Sequence, residues 1–442
     1  MTKLKNGGKV IASGGYGCIF RPALKCKTKK NIPGQITKLM TIKHAESEFK
    51  EIEEFKKILN HIPNYEDYFL LNGFSMCHPE KLSSEDLYKF TKKCKALQKD
   101  HFTIKNINQS LDKIMGINMP DGGIDVGDFI EKNKSNTKLV TLNNSLIDLL
   151  TNGIIPMNKL NVFHCDVKDS NVLVKETDKL YTRLIDWGLS TYYTNKKQIP
   201  LALSRRPFQY NVPFSIILFN KEFITRYNKF LKKSNPDYFS IREFVVNFIF
   251  VWIDIRGDGH LKLINRNMNK LFINQLTVLN ETEKNNFVAY DFTYYYIIEY
   301  LSKILEKYTV HGKFQLIQYF NEVFIKNIDI WGFVMIYMPI VTQLYENYNK
   351  LNEDEIKLFG ALKYIIIHFL FETPIKPIQT NELVDELRKL NSLFQGSSSK
   401  TFSKTSNSNN SNNSNNSKTS KKTKTTKTNK TNKTRKSVQN IE

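Results

Sequence analysis

The run His164-Cys165-Asp166-Val167-Lys168-Asp169-Ser170-Asn171-Val172-Leu173 decides how this chain is read. A carboxylate, an ammonium two residues on and an amide five residues on lie between the apolar pieces Leu160-Asn161-Val162-Phe163 and Val172-Leu173-Val174. That spacing is unusual for a solvated surface turn. Chemically it supplies a proton acceptor for a hydroxyl, a cation for a transferring phosphoryl group and an oxygen ligand for a hard metal ion. Twenty residues after Asp166, Asp186-Trp187-Gly188 follows the apolar stretch from Thr182 to Ile185, so a second carboxylate is expected at the end of a neighbouring strand.

Toward the N-terminus, Ile11-Ala12-Ser13-Gly14-Gly15-Tyr16-Gly17-Cys18-Ile19 reads as a glycine-rich turn between two strands. Its backbone N–H groups could lie against phosphate oxygens with no Cβ in the way; a plain hairpin turn is the alternative. Lys38, between Ile36 and Leu39, stands on a third strand, where the alternative is a solvated ammonium. Residues 44 to 60 carry Phe49, Ile52, Phe55, Ile58 and Leu59 at helical spacing. Five glutamates share that helix, Glu46, Glu48, Glu51, Glu53 and Glu54. Glu51 precedes Phe55 and Ile58 by four and seven, and Glu48 does the same with Ile52 and Phe55. Both therefore border the apolar face; Glu51 is favoured, with Glu48 close behind.

Further on, Leu142 to Leu150 is a helix candidate, and about 215 to 390 is rich in Phe, Tyr, Ile and Leu at helical spacing. A small β-rich unit followed by a larger α-rich one is expected, an α+β chain with no internal repeat.

Composition sets bounds on this. The chain has 442 residues and is 40% hydrophobic, which excludes a wholly disordered or fibrous protein. Its net charge of +22 invites nucleic acid as partner. However, residues 396–442 hold 11 Lys+Arg against one acidic residue, and so carry +10 of that charge. With Phe402, Val438 and Ile441 as their only large apolar residues, they should form a solvated, disordered Ser/Asn/Lys/Thr tail able to touch acidic surfaces such as RNA or membranes. The five cysteines, Cys18, Cys26, Cys77, Cys94 and Cys165, are odd in number and show no paired spacing. Neither a disulfide framework nor a zinc site is expected, and a reducing intracellular compartment follows. Cys18 and Cys165 read as apolar fillers or as partly exposed thiols. The first residues lack the apolar core of a signal peptide, and the longest apolar runs, Phe244 to Ile253 and Trp331 to Val341, are too short to cross a bilayer.

Taken in order, these clusters resemble the protein-kinase superfamily, clearly over residues 8 to 210 and loosely beyond. The resemblance implies a bilobal fold, with an N-lobe over 1–117, a C-lobe over 118–395 and a long insertion at about 215–325. It implies a phosphate-covering loop at Gly14, Gly15 and Gly17, with Ala12 where the first Gly normally sits. Lys38 would bind the α and β phosphates of ATP and pair with the helix Glu. Asp166 would be the catalytic base, Lys168 the γ-phosphate cation, and Asn171 and Asp186 the Mg²⁺ ligands. Residues Ile117 to Asp125 look like the hinge between lobes, with Asp125 toward the ribose or simply in a turn built on Asp121-Gly122. Asp329-Ile330-Trp331 resembles the Asp-x-Trp of the helix beneath a kinase catalytic loop. The long insertion, and Phe208-Gln209-Tyr210-Asn211-Val212-Pro213-Phe214-Ser215 where Ala-Pro-Glu would stand, are similar to divergent kinases of giant DNA viruses, as is the Asn-, Lys-, Ile- and Tyr-rich composition. That would put the protein in host cytoplasm or a virion.

Three departures are visible. Cys165 replaces the Arg that normally couples loop phosphorylation to the site, Trp187 replaces a Phe, and Ala-Pro-Glu is missing. Lys168 points to the Ser/Thr-directed class, so the implied activity is phosphoryl transfer from ATP to a protein Ser/Thr hydroxyl with Mg²⁺. The alternatives are a pseudokinase or nucleotide-binding scaffold, a small-molecule phosphotransferase and a nucleic-acid-binding protein.

Overall fold

Strand β3 (Gln35–Thr41) organises the N-terminal part, because its alternation serves two cores at once. Ile36 and Met40 point to one side and Leu39 to the other, as the two-residue period of a strand requires. With β1 (Lys9–Ser13), β2 (Gly17–Arg21), β4 (Ser75–Cys77) and β5 (Ile114–Pro120) it forms an antiparallel sheet in the order β1-β2-β3-β5-β4. Helix α1 (Ile42–Leu59) packs near one face, where Ala45 joins Ile36, Met40, Met115 and Ile117. The segment between β4 and β5 covers the other, placing Phe90, Leu97, Phe102 and Ile107 against Val10, Phe20 and Leu39.

The structure is a computed structural model that describes residues 8–28, 32–133, 135–232, 236–273, 282–283, 286 and 288–396, and these form one compact α+β unit. The basic tail expected over 396–442 lies outside the described residues, apart from Gly396, which ends the last helix.

Beyond β5 the chain enters a three-stranded sheet, β6 (Ile124–Asp125), β8 (Val172–Glu176) and β9 (Leu180–Leu184), in the order β6-β8-β9. Two-residue strands β7 (Val162–Phe163) and β10 (Thr191–Tyr192) pair beside it. Helices α2 (Val126–Lys132) and α3 (Asn136–Asp148) follow β6. The remainder is mainly helical, with one short hairpin pairing Thr309–Val310 with Lys313–Phe314: α4 (Lys221–Leu231), α5 (Tyr238–Arg256), α6 (Leu261–Leu271), α7 (Tyr295–Tyr308), α8 (Ile325–Met335), α9 (Met338–Glu346), α10 (Glu353–Ile366) and α11 (Thr380–Gly396).

Helix α8 is the axis of that core, with only Lys326 exposed along it. The expected insertion does not stand apart. Phe214 packs edge-on against both Tyr300 of α7 and Trp331 of α8, with ring centroids 5.6 and 5.2 Å apart, so the 215–325 region completes the hydrophobic core. One helical run among the described residues, Leu316–Glu346, is long and apolar enough to cross a membrane by length and composition alone. Its most apolar window is 89% buried inside the fold, which accounts for that composition without a bilayer.

The cysteine reading is corrected. Cys18 is bonded to Cys94 and Cys26 to Cys77, each pair with Cα atoms 5.4 Å apart. The partners are 76 and 51 residues apart in sequence and meet through sheet packing, so local spacing gave no sign of them. The step from cysteine number to a reducing compartment therefore loses its premise. Cys165, buried and unpaired, is not an exposed thiol, and burial pushes its pKa well above the ordinary value.

Candidate active site

Lys38 lies mid-strand on the α1 side of β3, where an ammonium must find a partner. Its Nζ donates to both carboxylate oxygens of Glu48, at 2.7 and 2.6 Å. The favoured Glu51 is not the partner. The buried stripe of α1 runs through Ala45, Ile52, Phe55 and Leu59, and Glu48, three after Ala45 and four before Ile52, falls on it. Glu51, also half-buried, is rotated off that stripe, and its carboxylate accepts from Ser47 Oγ at 3.1 Å.

The glycine turn closes the β1-β2 hairpin through a hydrogen bond from Gly14 N to Gly17 O, 2.9 Å long. Gly17 is required by the fold, since a Cβ there would come within 2.9 Å of the Leu39 carbonyl oxygen. Gly14 and Gly15 are different: a Cβ at Gly15 would meet nothing and one at Gly14 only the Gly17 oxygen at 3.9 Å. Packing does not explain why those two side chains are missing. Tyr16 stacks on His44 of α1 with ring centroids 4.4 Å apart, and Cys18 is buried in its disulfide.

Asp166 is the most heavily bonded side chain of the central run. Its Oδ2 accepts from Lys168 Nζ at 2.7 Å and Asn171 Nδ2 at 3.0 Å, and its Oδ1 from Asn211 Nδ2 at 2.9 Å. Burial pushes its pKa up, but the Lys168 charge and the hydrogen bonds from Lys168 and Asn211 outweigh this and hold the carboxyl below its ordinary value. Asn171 also donates to the Asp166 carbonyl at 2.9 Å, which leaves its Oδ1 without a partner among the described residues. Asp186 follows β9 with φ +67°, a left-handed conformation that a non-glycine residue adopts at a cost, and its exposed carboxylate has no hydrogen bond among the described residues.

The loop is held from beneath. Asp329 of α8, fully buried, accepts from the backbone N–H of His164 at 2.9 Å, that of Cys165 at 2.8 Å and Asn158 Nδ2 at 2.8 Å. Gly332 permits this approach, because a Cβ there would lie 2.4 Å from the Val167 carbonyl oxygen. From above, His164 shares a 2.9 Å hydrogen bond between Nε2 and the Ile185 carbonyl, and burial depresses its pKa so that the ring is neutral and donates. Trp187 completes a column of rings with His164, Phe69 and Phe55 of α1, centroids 5.1, 5.6 and 5.4 Å away.

A cleft of about 800 Å³ between the two sheets gathers Ile11, Ala12, Ser13, Gly14, Gly15, Ile19, Lys38, Glu48, Lys168, Asn171 and Asp186 on one surface. Tyr16, Gly17 and Cys18 do not line it, and Asp166 lies behind Lys168 and Asn171. Asp125 lines the cleft while its carboxylate caps α2, accepting from Asp128 N at 2.8 Å. Asp121 is engaged by Arg21, at 2.7 Å, which ties the first sheet to the crossover.

Two residues escaped the sequence reading. Asn211 lies in the segment noted only for its missing Ala-Pro-Glu, and no spacing rule links it to Asp166. Arg206, buried, donates from Nη1 to the Cys165 carbonyl at 2.9 Å, so a guanidinium reaches this loop although none precedes Asp166. Among the described residues no three or more His, Cys, Asp or Glu gather as a self-sufficient metal site. No protein-family model matches the chain, and no curated protein matches it in sequence.

Proposed function

We propose that the protein is a kinase-like phosphotransferase with a β-rich N-lobe and a helical C-lobe, acting on Ser or Thr hydroxyls of proteins. The observation that carries this reading is the single cleft in which the Lys38–Glu48 pair, Lys168, Asn171 and the unengaged Asp186 carboxylate converge in front of Asp166.

The donor set fits the cosubstrate and ion such a reaction needs. Asn171 Oδ1 and the Asp186 carboxylate are hard oxygen donors, and two such ligands suit Mg²⁺, which keeps its other positions for water and phosphate oxygens. ATP would supply the transferable γ-phosphoryl group, and Mg²⁺ would neutralise charge on its phosphates. Lys38, fixed by Glu48, presents a cation to phosphate oxygens, and the open backbone at Gly14 and Gly15 leaves room for them. Lys168 holds its charge beside Asp166. That carboxylate, ionised at neutral pH, orients an acceptor hydroxyl and takes its proton. Most of the rate gain would come from positioning and charge stabilisation.

The test is phosphoryl transfer from Mg²⁺-ATP to a generic protein substrate such as casein, comparing wild type with Asp166→Asn. Loss in the variant is expected; equal transfer would overturn the role of Asp166.

A further inference from the structure

A second cavity, of about 630 Å³, lies back to back with the nucleotide cleft. The two share no lining residue, yet their walls alternate along the same elements. Asp169 lines the second while Lys168 and Ser170 line the first, and on α2 Glu131 lines the second while Asp128 and Lys132 line the first. The Asp166 loop and α2 therefore border both cavities.

The chemistry of its lining is specific. Leu263 and Met338 offer apolar wall, and three carboxylates, Glu131, Asp169 and Glu346, face it against one cation, Lys270. The Lys270 Nζ is held against the wall by Thr342 Oγ1, at 2.8 Å. Asn267 adds an independent sign of a missing partner. It lines the cavity, is only 7% exposed, and its side-chain amide has no hydrogen bond among the described residues, so its polar atoms are open to an occupant of the cavity.

We propose that this cavity receives an arginine or lysine side chain of the protein whose hydroxyl is presented to Asp166, an inference that rests on the phosphotransferase reading above. Such a side chain lays an aliphatic stem along apolar wall and carries a cationic head to carboxylates. The Asn267 amide oxygen is a further acceptor for its N–H groups. The insertion thereby gains a role: α6 supplies Leu263, Asn267 and Lys270. The turn before α6 is fastened to the site, with His260 N donating to the Phe208 carbonyl at 2.8 Å and the His260 ring 5.5 Å from that of Tyr210. Tyr210 in turn donates to Asp169 at 3.2 Å.

The full-length protein is tested with Ser/Thr peptides in which Arg, Lys, Ala and Glu are scanned through each flanking position. One position is expected at which Arg or Lys raises kcat/KM. In Glu131→Gln/Glu346→Gln, two exposed sites, that preference should fall about fivefold to tenfold, through the peptide KM and not the ATP KM. Lys270→Met should strengthen it. Transfer by the wild type with no basic preference, or a preference retained by the double variant, overturns the pocket and leaves the reaction standing. Anisotropy of a fluorescent Arg peptide without ATP separates the two ideas. Binding that the double variant loses, in a protein that transfers no phosphoryl group, supports the pocket and removes the reaction; no binding and no transfer removes both.

Discussion

The Nζ of Lys38 lies 2.7 and 2.6 Å from the two carboxylate oxygens of Glu48, a symmetric pairing across the space between β3 and α1. Both side chains are mostly shielded, at 13% and 20% exposure, so the ion pair fixes the ammonium at the rear of the cleft and also fixes α1 on the sheet. Glu48→Gln should lower kcat/KM for ATP by about tenfold or more, the equivalent of about 1.4 kcal/mol of coupling. Glu51→Gln should stay close to wild type. Steady-state kinetics of the two variants decide it, and a larger loss in Glu51→Gln would contradict the pairing.

Asp166 gives a pH signature. Its pKa is lowered on folding, so the stabilisation by its ionised form is complete above the ordinary value of 3.8 and is lost as pH falls through the lower folded value. It should therefore produce no acid limb in kcat between about pH 5 and 8. Lys168→Ala removes both the charge and the hydrogen bond that offset burial, so the Asp166 pKa should rise and an acid limb should move upward into reach. Matching profiles of kcat against pH in the two proteins would contradict this.

The Asp329 carboxylate predicts a loss of stability. Asp329→Ala leaves the N–H groups of His164 and Cys165 and the Asn158 amide without their acceptor, at a cost of at least about 3 kcal/mol in total. Asp329→Asn, which keeps one acceptor oxygen, should lose less. Urea denaturation of the two variants gives the comparison, and equal midpoints for wild type and Asp329→Ala would refute the role.

Thiol counting tests the cystines. The folded protein should show no reactive thiol, the denatured but unreduced protein one, from Cys165, and the reduced protein five. Three or more thiols in denatured, unreduced protein would mean that at least one bond is absent.

Much of the candidate site was legible because its signals are local. The polar spacing from Asp166 to Asn171, the glycine turn and the three- and four-residue rhythm of Phe49, Ile52, Phe55 and Leu59 each depend on geometry within one turn or one hairpin. Glu48 against Glu51 was the boundary case. Both border the apolar face of the same helix, and only the rotation at which α1 settles on β3 chooses between them.

By itself, the sequence determined the elements and the order of the polar clusters, because strand alternation, helix periodicity and turn chemistry act over a few residues. The tertiary structure alone decided which distant groups meet: Cys18 with Cys94, Asn211 and Arg206 at the Asp166 loop, Asp329 beneath His164, and α6 beside Asp169. Those pairs lie from 41 to 165 residues apart in sequence. Nothing in local spacing specifies them, since they arise only when buried donors and charges must find partners inside a packed core.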